Sequence, residues 1–80
     1  MHELGVLMQA VKTVDKVAQQ NKIKRIKHMT LEVGEESGYV PIFFEKMFPV
    51  AIEHFPVMKH AELKIEMAPG RGLMVKDIGY

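Results

Sequence analysis

The chain has 80 residues, of which 48% are apolar and 26% charged, a composition typical of one small globular domain. A formal net charge of +1 argues against a strongly basic nucleic-acid binder, and the lack of cysteine excludes disulfides, thiolate zinc sites and a cysteine nucleophile within these residues. No apolar run approaches the ~20 residues of a membrane span, and the polar start does not resemble a signal peptide. We therefore expect a cytoplasmic protein with no membrane or nucleic-acid partner.

The first three residues, Met1-His2-Glu3, form a potential metal chelate. The amine of Met1 and the backbone amide of His2 close a five-membered ring with a metal, and the amide and imidazole of His2 close a six-membered one. Nitrogen donors in a near-plane suit Ni(II) or Cu(II). Glu3 can add a fourth donor through its carboxylate or its backbone nitrogen. The alternative is a chance histidine in a frayed terminus, and the tripeptide alone does not decide between the two.

The next part of the chain predicts a helix and then a strand. Apolar side chains recur at helical spacing over about residues 3–20, opposite a polar face, and Asn21 offers a stop. Over about residues 25–34 the period changes to two, because Met29, Leu31 and Val33 alternate with polar residues. This alternation indicates a half-buried strand, which a glycine-flanked loop follows.

The second half repeats this order. Pro41 suits the first turn of a second helix with a broad apolar surface, and Pro49 should kink or break that helix. Alternation over 62–67 predicts a second strand, Pro69-Gly70 a turn, and residues 73–80 a short third strand. The fold class is therefore α+β, with two helices on one face of a small sheet whose topology stays open.

Five motifs occur in a characteristic order and spacing: Met1-His2-Glu3-Leu4, the TLEVGE segment at 30–35, Ser37-Gly38, Val40-Pro41 and the AELKIE segment at 61–66. Together they resemble the HypA/HybF family of nickel metallochaperones over about residues 1–69. Members assist nickel insertion during maturation of nickel–iron hydrogenase, and in some organisms they supply urease.

The resemblance implies a site, a fold and partners. The site is Met1 through its amine, His2 through its backbone and imidazole, and Glu3 as a further contributor, all holding Ni(II) transiently. The implied fold is a nickel-binding domain of two helices against a mixed sheet, and the implied partners are a HypB-type GTPase and the hydrogenase large subunit. No catalytic constellation is present, so we do not expect an enzyme. The alternative is a HypA-like interaction or regulatory module that no longer delivers metal.

The chain departs from this family at the zinc site. Members carry two CxxC pairs after the second strand, whereas this sequence has Val75 and Ile78 at that spacing, and neither side chain can bind zinc. We therefore expect residues 1–80 to be a single nickel-binding-type domain without the zinc module or zinc. In the family, later chain returns to complete the sheet. Its loss would expose a sheet edge, which predicts self-association or exchange of the tail between copies.

The remaining candidates have ordinary explanations. His28, His54 and His60 are expected to be surface histidines rather than ligands. The methionines at 29, 47 and 67 fall on apolar faces, where filling of core gaps explains them better than soft-metal binding. The basic stretch Lys22–Lys27 has no interleaved aromatic residues, which does not favour nucleic-acid binding.

Overall fold

The computed structural model describes residues 3–80 as a three-stranded sheet with helices packed against it. The elements in chain order are helix α1 (Glu3–Gln20), strand β1 (His28–Gly34), helix α2 (Pro41–Ala51), a 3₁₀ turn (Pro56–Met58), strand β2 (Glu62–Ala68) and strand β3 (Leu73–Gly79). These bounds confirm the α+β class. No helix in the described range is long and apolar enough to cross a membrane.

The sheet is mixed, and β1 is its central strand. The order is β2-β1-β3, with β1 parallel to β2 and antiparallel to β3. Because parallel neighbours need a crossover connection, α2 joins β1 to β2 as the helix of a βαβ unit. Register places Met29 beside Leu63 and Leu31 beside Ile65, so their side chains share one face of the sheet.

The core lies between that face and the two helices. One stripe of α1, the alternate residues of β1 and the inner face of α2 supply its fully buried side chains, including Leu7, Val11, Ala18, Met29, Leu31, Val33 and Phe44. Both predicted periods are confirmed here. Met29 fills the core as expected and Met47 packs partly buried against it, whereas Met67 is 48% exposed because it lies near the end of an edge strand.

Helix α1 ends through a backbone motif that places one residue in the left-handed region. Ile23 N–H donates to Ala18 C=O (2.8 Å) and Lys22 N–H to Gln19 C=O (3.3 Å), while Lys22 has φ 57°. These bonds satisfy carbonyls that every helix end leaves without partners. The predicted stop at Asn21 is confirmed, because the helix ends at Gln20, the residue before it. The side-chain amide of Asn21 donates a hydrogen bond to Val17 C=O (2.8 Å).

Helix α2 passes through Pro49, so of the predicted kink or break at that residue the break is wrong. The helix continues to Ala51, where Ile52 N–H still donates to Phe48 C=O (3.1 Å). Proline removes one helical donor, but so close to the end few bonds are affected. Phe48 and Ala51 are both buried on either side of it, and their packing outweighs the lost bond.

The tail forms the third strand and completes the sheet. Val75 pairs with Leu31 and Ile78 with Met29, and both tail residues are half-buried in β3. The short third strand predicted over residues 73–80 is therefore confirmed, because Leu73–Gly79 pairs along the second edge of β1. Val75 and Ile78 are packing residues of a strand. In the described sheet, β2 and β3 each pair only with β1, so self-association through an outer edge stays a prediction.

Candidate metal site

Glu3 is the predicted site residue that the structure describes, and its carboxylate is built into the fold. It is the first residue of α1 and only 1% exposed. Its Oε2 accepts a hydrogen bond from the backbone N–H of Val40 at 3.1 Å. Val40 is the residue before α2 and has no capping side chain of its own. The Glu3 carboxylate therefore ties the start of α1 to the start of α2.

The other two predicted site residues, Met1 and His2, lie outside the described residues. The chelate therefore stays a prediction. The backbone nitrogen of Glu3 lies in the first turn of α1, where N–H groups have no acceptor within the helix. Of the two donors considered for Glu3, the carboxylate is engaged by Val40.

A tightly held loop lies at the same end of the sheet. After β1, Glu35 N–H donates to Ala68 C=O (2.7 Å) and Glu36 N–H to Gly70 C=O (2.8 Å). Both glutamate side chains are exposed. Gly34 allows this approach, because a Cβ there would collide with Gly70 O and lie 2.8 Å from Gly72 N. The end of the molecule at which α1 begins therefore carries carboxylates on a fixed backbone, and these attract cations.

The other histidines do not form a metal cluster with their neighbours. Among residues 3–80, no group of three or more His, Cys, Asp or Glu side chains could hold a metal ion. His54 and His60 are exposed, as expected. His28 Nε2 lies 3.5 Å from Asp77 Oδ1 across β1 and β3, and its ring lies over Gly79.

The outer face of the sheet is polar and joins its strands through side chains. A hydrogen bond from the buried Thr30 hydroxyl, assisted by nearby His28, lowers the pKa of Asp77. Lys76 Nζ lies 2.6 Å from Glu66 Oε1, linking β3 to β2, and this hydrogen-bonded ion pair raises the pKa of Lys76. The ion pairs His28–Asp77 and Lys76–Glu66 are both open to water. Exposed ion pairs contribute little to stability.

Sequence reasoning missed the Thr30–Asp77 contact and the anchoring role of Glu3. The alternation in β1 does place His28 and Thr30 on the outer face. The partner on β3 depends on a register shift between Thr30 and Leu31, which leaves Lys76 as an extra residue in β3. No local pattern in the sequence signals such a bulge.

Comparison with known proteins gives the family. The model of the HypA family, described as "Hydrogenase/urease nickel incorporation, metallochaperone", matches residues 1–73. The chain belongs to the HypA family. The hydrogenase maturation factor HypA of Trichodesmium erythraeum is 39% identical over 72 residues, covering 90% of this chain and 60% of that protein. HypA of Geobacter metallireducens is 36% identical over 72 residues, covering 90% of this chain and 62% of that protein.

A more distant sequence and a solved structure agree with this family. HypA of Campylobacter jejuni is 29% identical over 76 residues, covering 95% of this chain and 67% of that protein. The solution structure of the Ni metallochaperone HypA from Helicobacter pylori superposes with a TM-score of 0.78 at 21% identity, covering 96% of this chain and 72% of that one. This superposition shows that the two proteins share a fold. The chain thus spans about two thirds or less of the length of these HypA sequences.

Proposed function

We propose that this HypA-family chain binds Ni(II) through its amino-terminal segment and passes the metal on during maturation of nickel–iron hydrogenase. The observation that carries the proposal is the family match over residues 1–73, which includes Met1-His2-Glu3. In this proposal, the Met1 amine and the His2 amide and imidazole bind nickel, in the near-planar nitrogen geometry that Ni(II) prefers. Nickel is the cargo, held transiently in the cytoplasm, and the protein acts by binding and handover rather than by catalysis.

The contact between Glu3 and Val40 refines the role of the third residue. Because the carboxylate already accepts the Val40 N–H, we assign the backbone nitrogen of Glu3 as its contribution to nickel. A helix amino terminus carries about half a positive charge, which disfavours a bare cation and favours deprotonated amide ligands.

The proposed partners are those of the family: a HypB-type GTPase and the hydrogenase large subunit. The 80 residues contain no cysteine, so a thiolate zinc site has no part in this proposal. A second candidate function, an interaction module that does not deliver metal, is favoured by apolar exposure on α2. The apolar side chains of Ile42 and Val50 are 46% and 56% exposed. Exposed apolar surface of this kind can mark a site of protein–protein contact.

Calorimetric titration of Ni(II) into protein with an unblocked amino terminus tests the proposal. We compare the wild type with His2→Ala and with a matched variant that loses His28, His54 and His60 together to alanine. The proposal predicts a single Ni(II) per chain in the wild type and the triple variant, and loss of that binding in His2→Ala. Affinity should also fall as the pH drops through about 6.5, since imidazole and amine must release protons to bind.

The outcomes separate the two candidate functions. Binding that survives His2→Ala but disappears in the triple variant would move the metal away from the terminus and overturn the proposal. Equal weak binding in all three proteins would leave the interaction module as the better account. In that case Val50→Asp should abolish binding to a purified HypB-type GTPase without altering the titration.

A further inference from the structure

A second surface lies at the opposite end of the molecule, where α1 ends and β1 and β2 begin. We name it the basic end and define it by five exposed residues: Lys22, Lys24, Arg25, Lys27 and Lys59. They come from the α1–β1 connection and from the turn before β2. Two backbone hydrogen bonds join these segments, Ile26 N–H to Val57 C=O and Glu62 N–H to Lys27 C=O, both at 2.9 Å.

The charges of the basic end are not neutralised within the described chain. Across residues 3–80, the ion pairs within 4.0 Å are His28–Asp77 and Lys76–Glu66, and neither includes a residue of this surface. Clustered like charges repel one another and do not stabilise a fold. Glu53 and Glu62 are close in sequence to Lys59. These two carboxylates are outnumbered by the five cations of the basic end.

Two hollows lie on either side of Pro56 beside these cations. The first has a volume of about 440 Å³ and a mixed lining, in which the apolar Ala18, Ile23, Pro56 and Val57 lie beside Gln19, Lys22 and Lys24. The second has a volume of about 560 Å³, and its lining comprises Pro49, Ile52, Glu53, Phe55, Pro56 and Lys59. Each hollow is large enough for an apolar side chain and has a lysine at its margin.

We infer that the basic end docks an acidic segment of a partner protein that also presents apolar side chains. The charge of this surface is complementary to such a segment, and the hollows accept its apolar residues. Nucleic acid fits less well, because the formal net charge is only +1 and the stretch Lys22–Lys27 has no interleaved aromatic residue on which a base could stack. An anionic membrane fits less well too, since the chain has no tryptophan and the basic end presents no amphipathic helix.

The basic end is far from the proposed nickel site. A partner could therefore dock there whether or not nickel is bound. Helix α1 has 18 residues and a rise of 1.5 Å per residue, so its two ends lie roughly 25 Å apart. Glu3 lies at the first end and Lys22 just beyond the other. A partner held at the basic end therefore leaves the amino terminus accessible, and the inference does not rest on nickel binding.

The test uses fluorescence anisotropy with a labelled synthetic peptide rich in glutamate and leucine, at low salt and without metal. The variant Lys24→Glu/Arg25→Glu/Lys59→Glu reverses three charges of the basic end. A matched control, Lys12→Glu/Lys46→Glu/Lys64→Glu, reverses three exposed lysines elsewhere. Binding in the first variant should be roughly tenfold weaker, a difference of about 1.4 kcal/mol. The control should stay within about twofold, a difference of about 0.4 kcal/mol.

Two further probes decide the class of partner. A peptide with serine in place of leucine should bind more weakly, because it cannot fill the hollows, and binding of both peptides should weaken with added salt. Circular dichroism confirms that each variant folds. Equal loss in the two charge-reversal variants would overturn the inference. Tighter binding of single-stranded oligothymidine or of phosphatidylserine vesicles than of the glutamate–leucine peptide would also overturn it.

Discussion

The Glu3 carboxylate accepts a hydrogen bond from the Val40 N–H at 3.1 Å, so the first turn of α1 is joined to the residue before α2. The two residues are 37 positions apart in the chain. The side chain of a residue in the proposed chelate therefore has a structural role. Its carboxylate positions the helix from which the amino-terminal segment extends.

Replacing Glu3 should separate stability from metal binding. Glu3→Ala removes a buried acceptor and should lower the free energy of unfolding by about 1–3 kcal/mol, measured by urea denaturation. Glu3→Gln keeps a carbonyl oxygen for Val40 and should lose less. Since the proposal assigns only the backbone nitrogen to nickel, Glu3→Gln should retain the stoichiometry of the wild type. Loss of nickel from a stable Glu3→Gln protein would return the carboxylate to the ligand set.

Two glycines should respond oppositely to alanine. At Gly34 a Cβ would lie 2.8 Å from Gly72 N and collide with Gly70 O, both backbone atoms, whereas at Gly5 it would meet nothing within 4 Å. Gly34→Ala should therefore destabilise the fold by about 1–3 kcal/mol. Gly5→Ala, inside α1, should stabilise it by up to about 1 kcal/mol through helix propensity. Thermal unfolding of both variants checks this, and an unchanged Gly34→Ala would mean that the turn before β3 adjusts freely.

Lys22 offers a stabilising substitution at the end of α1. Its φ of 57° is unfavourable for a side chain with a Cβ but not for glycine. Lys22→Gly should raise the free energy of unfolding by about 0.5–1 kcal/mol. Lys22→Ala removes the same charge without relieving the backbone, so it serves as the control. Equal stability of the two variants would show that charge, not conformation, matters there.

The lowered pKa of Asp77 predicts an acid-sensitive contribution to stability. A carboxyl whose pKa is lower in the folded state stabilises the protein above its unfolded value, and this contribution is lost as the pH falls below about 4. The Thr30 hydrogen bond is its largest cause, so Thr30→Val and Asp77→Asn should both flatten the pH dependence of the unfolding midpoint in that range. Glu36→Gln, in the exposed loop, should leave this dependence as it is. A curve unchanged in both Thr30→Val and Asp77→Asn would contradict the prediction.

Periodicity predicted the parts of this fold that local patterns control. The stripe of α1 and the alternation of β1 follow from side-chain geometry, so the apolar face of α1 was predicted and Met29, Leu31 and Val33 were placed in the core correctly. The path of α2 through Pro49 was not predictable, because it depends on burial of Phe48 and Ala51. The third strand over residues 73–80 was predicted, but its partner strand was not, since strand order and the register shift at Thr30 are set by distant pairing.

The sequence predicts which residues form the candidate site, but not the contact that one of them makes in the fold. The tripeptide motif and its family pattern point to Met1, His2 and Glu3, and the family match includes all three. The contact of Glu3 with Val40 could not be read from the motif, because it requires the loop after β1 to return to the start of α1. The Glu3 carboxylate thus contacts the backbone of the fold, whereas its backbone nitrogen is the group that we propose as a nickel ligand.

The most direct measurement of the central claim is a Ni(II) titration of a protein with one extra residue before Met1. This change preserves every side chain of the chain and alters only the amine geometry of the chelate. The account predicts that the wild type binds a single Ni(II) and that the extended protein loses this binding. Equal affinity of the two proteins for Ni(II) would contradict it.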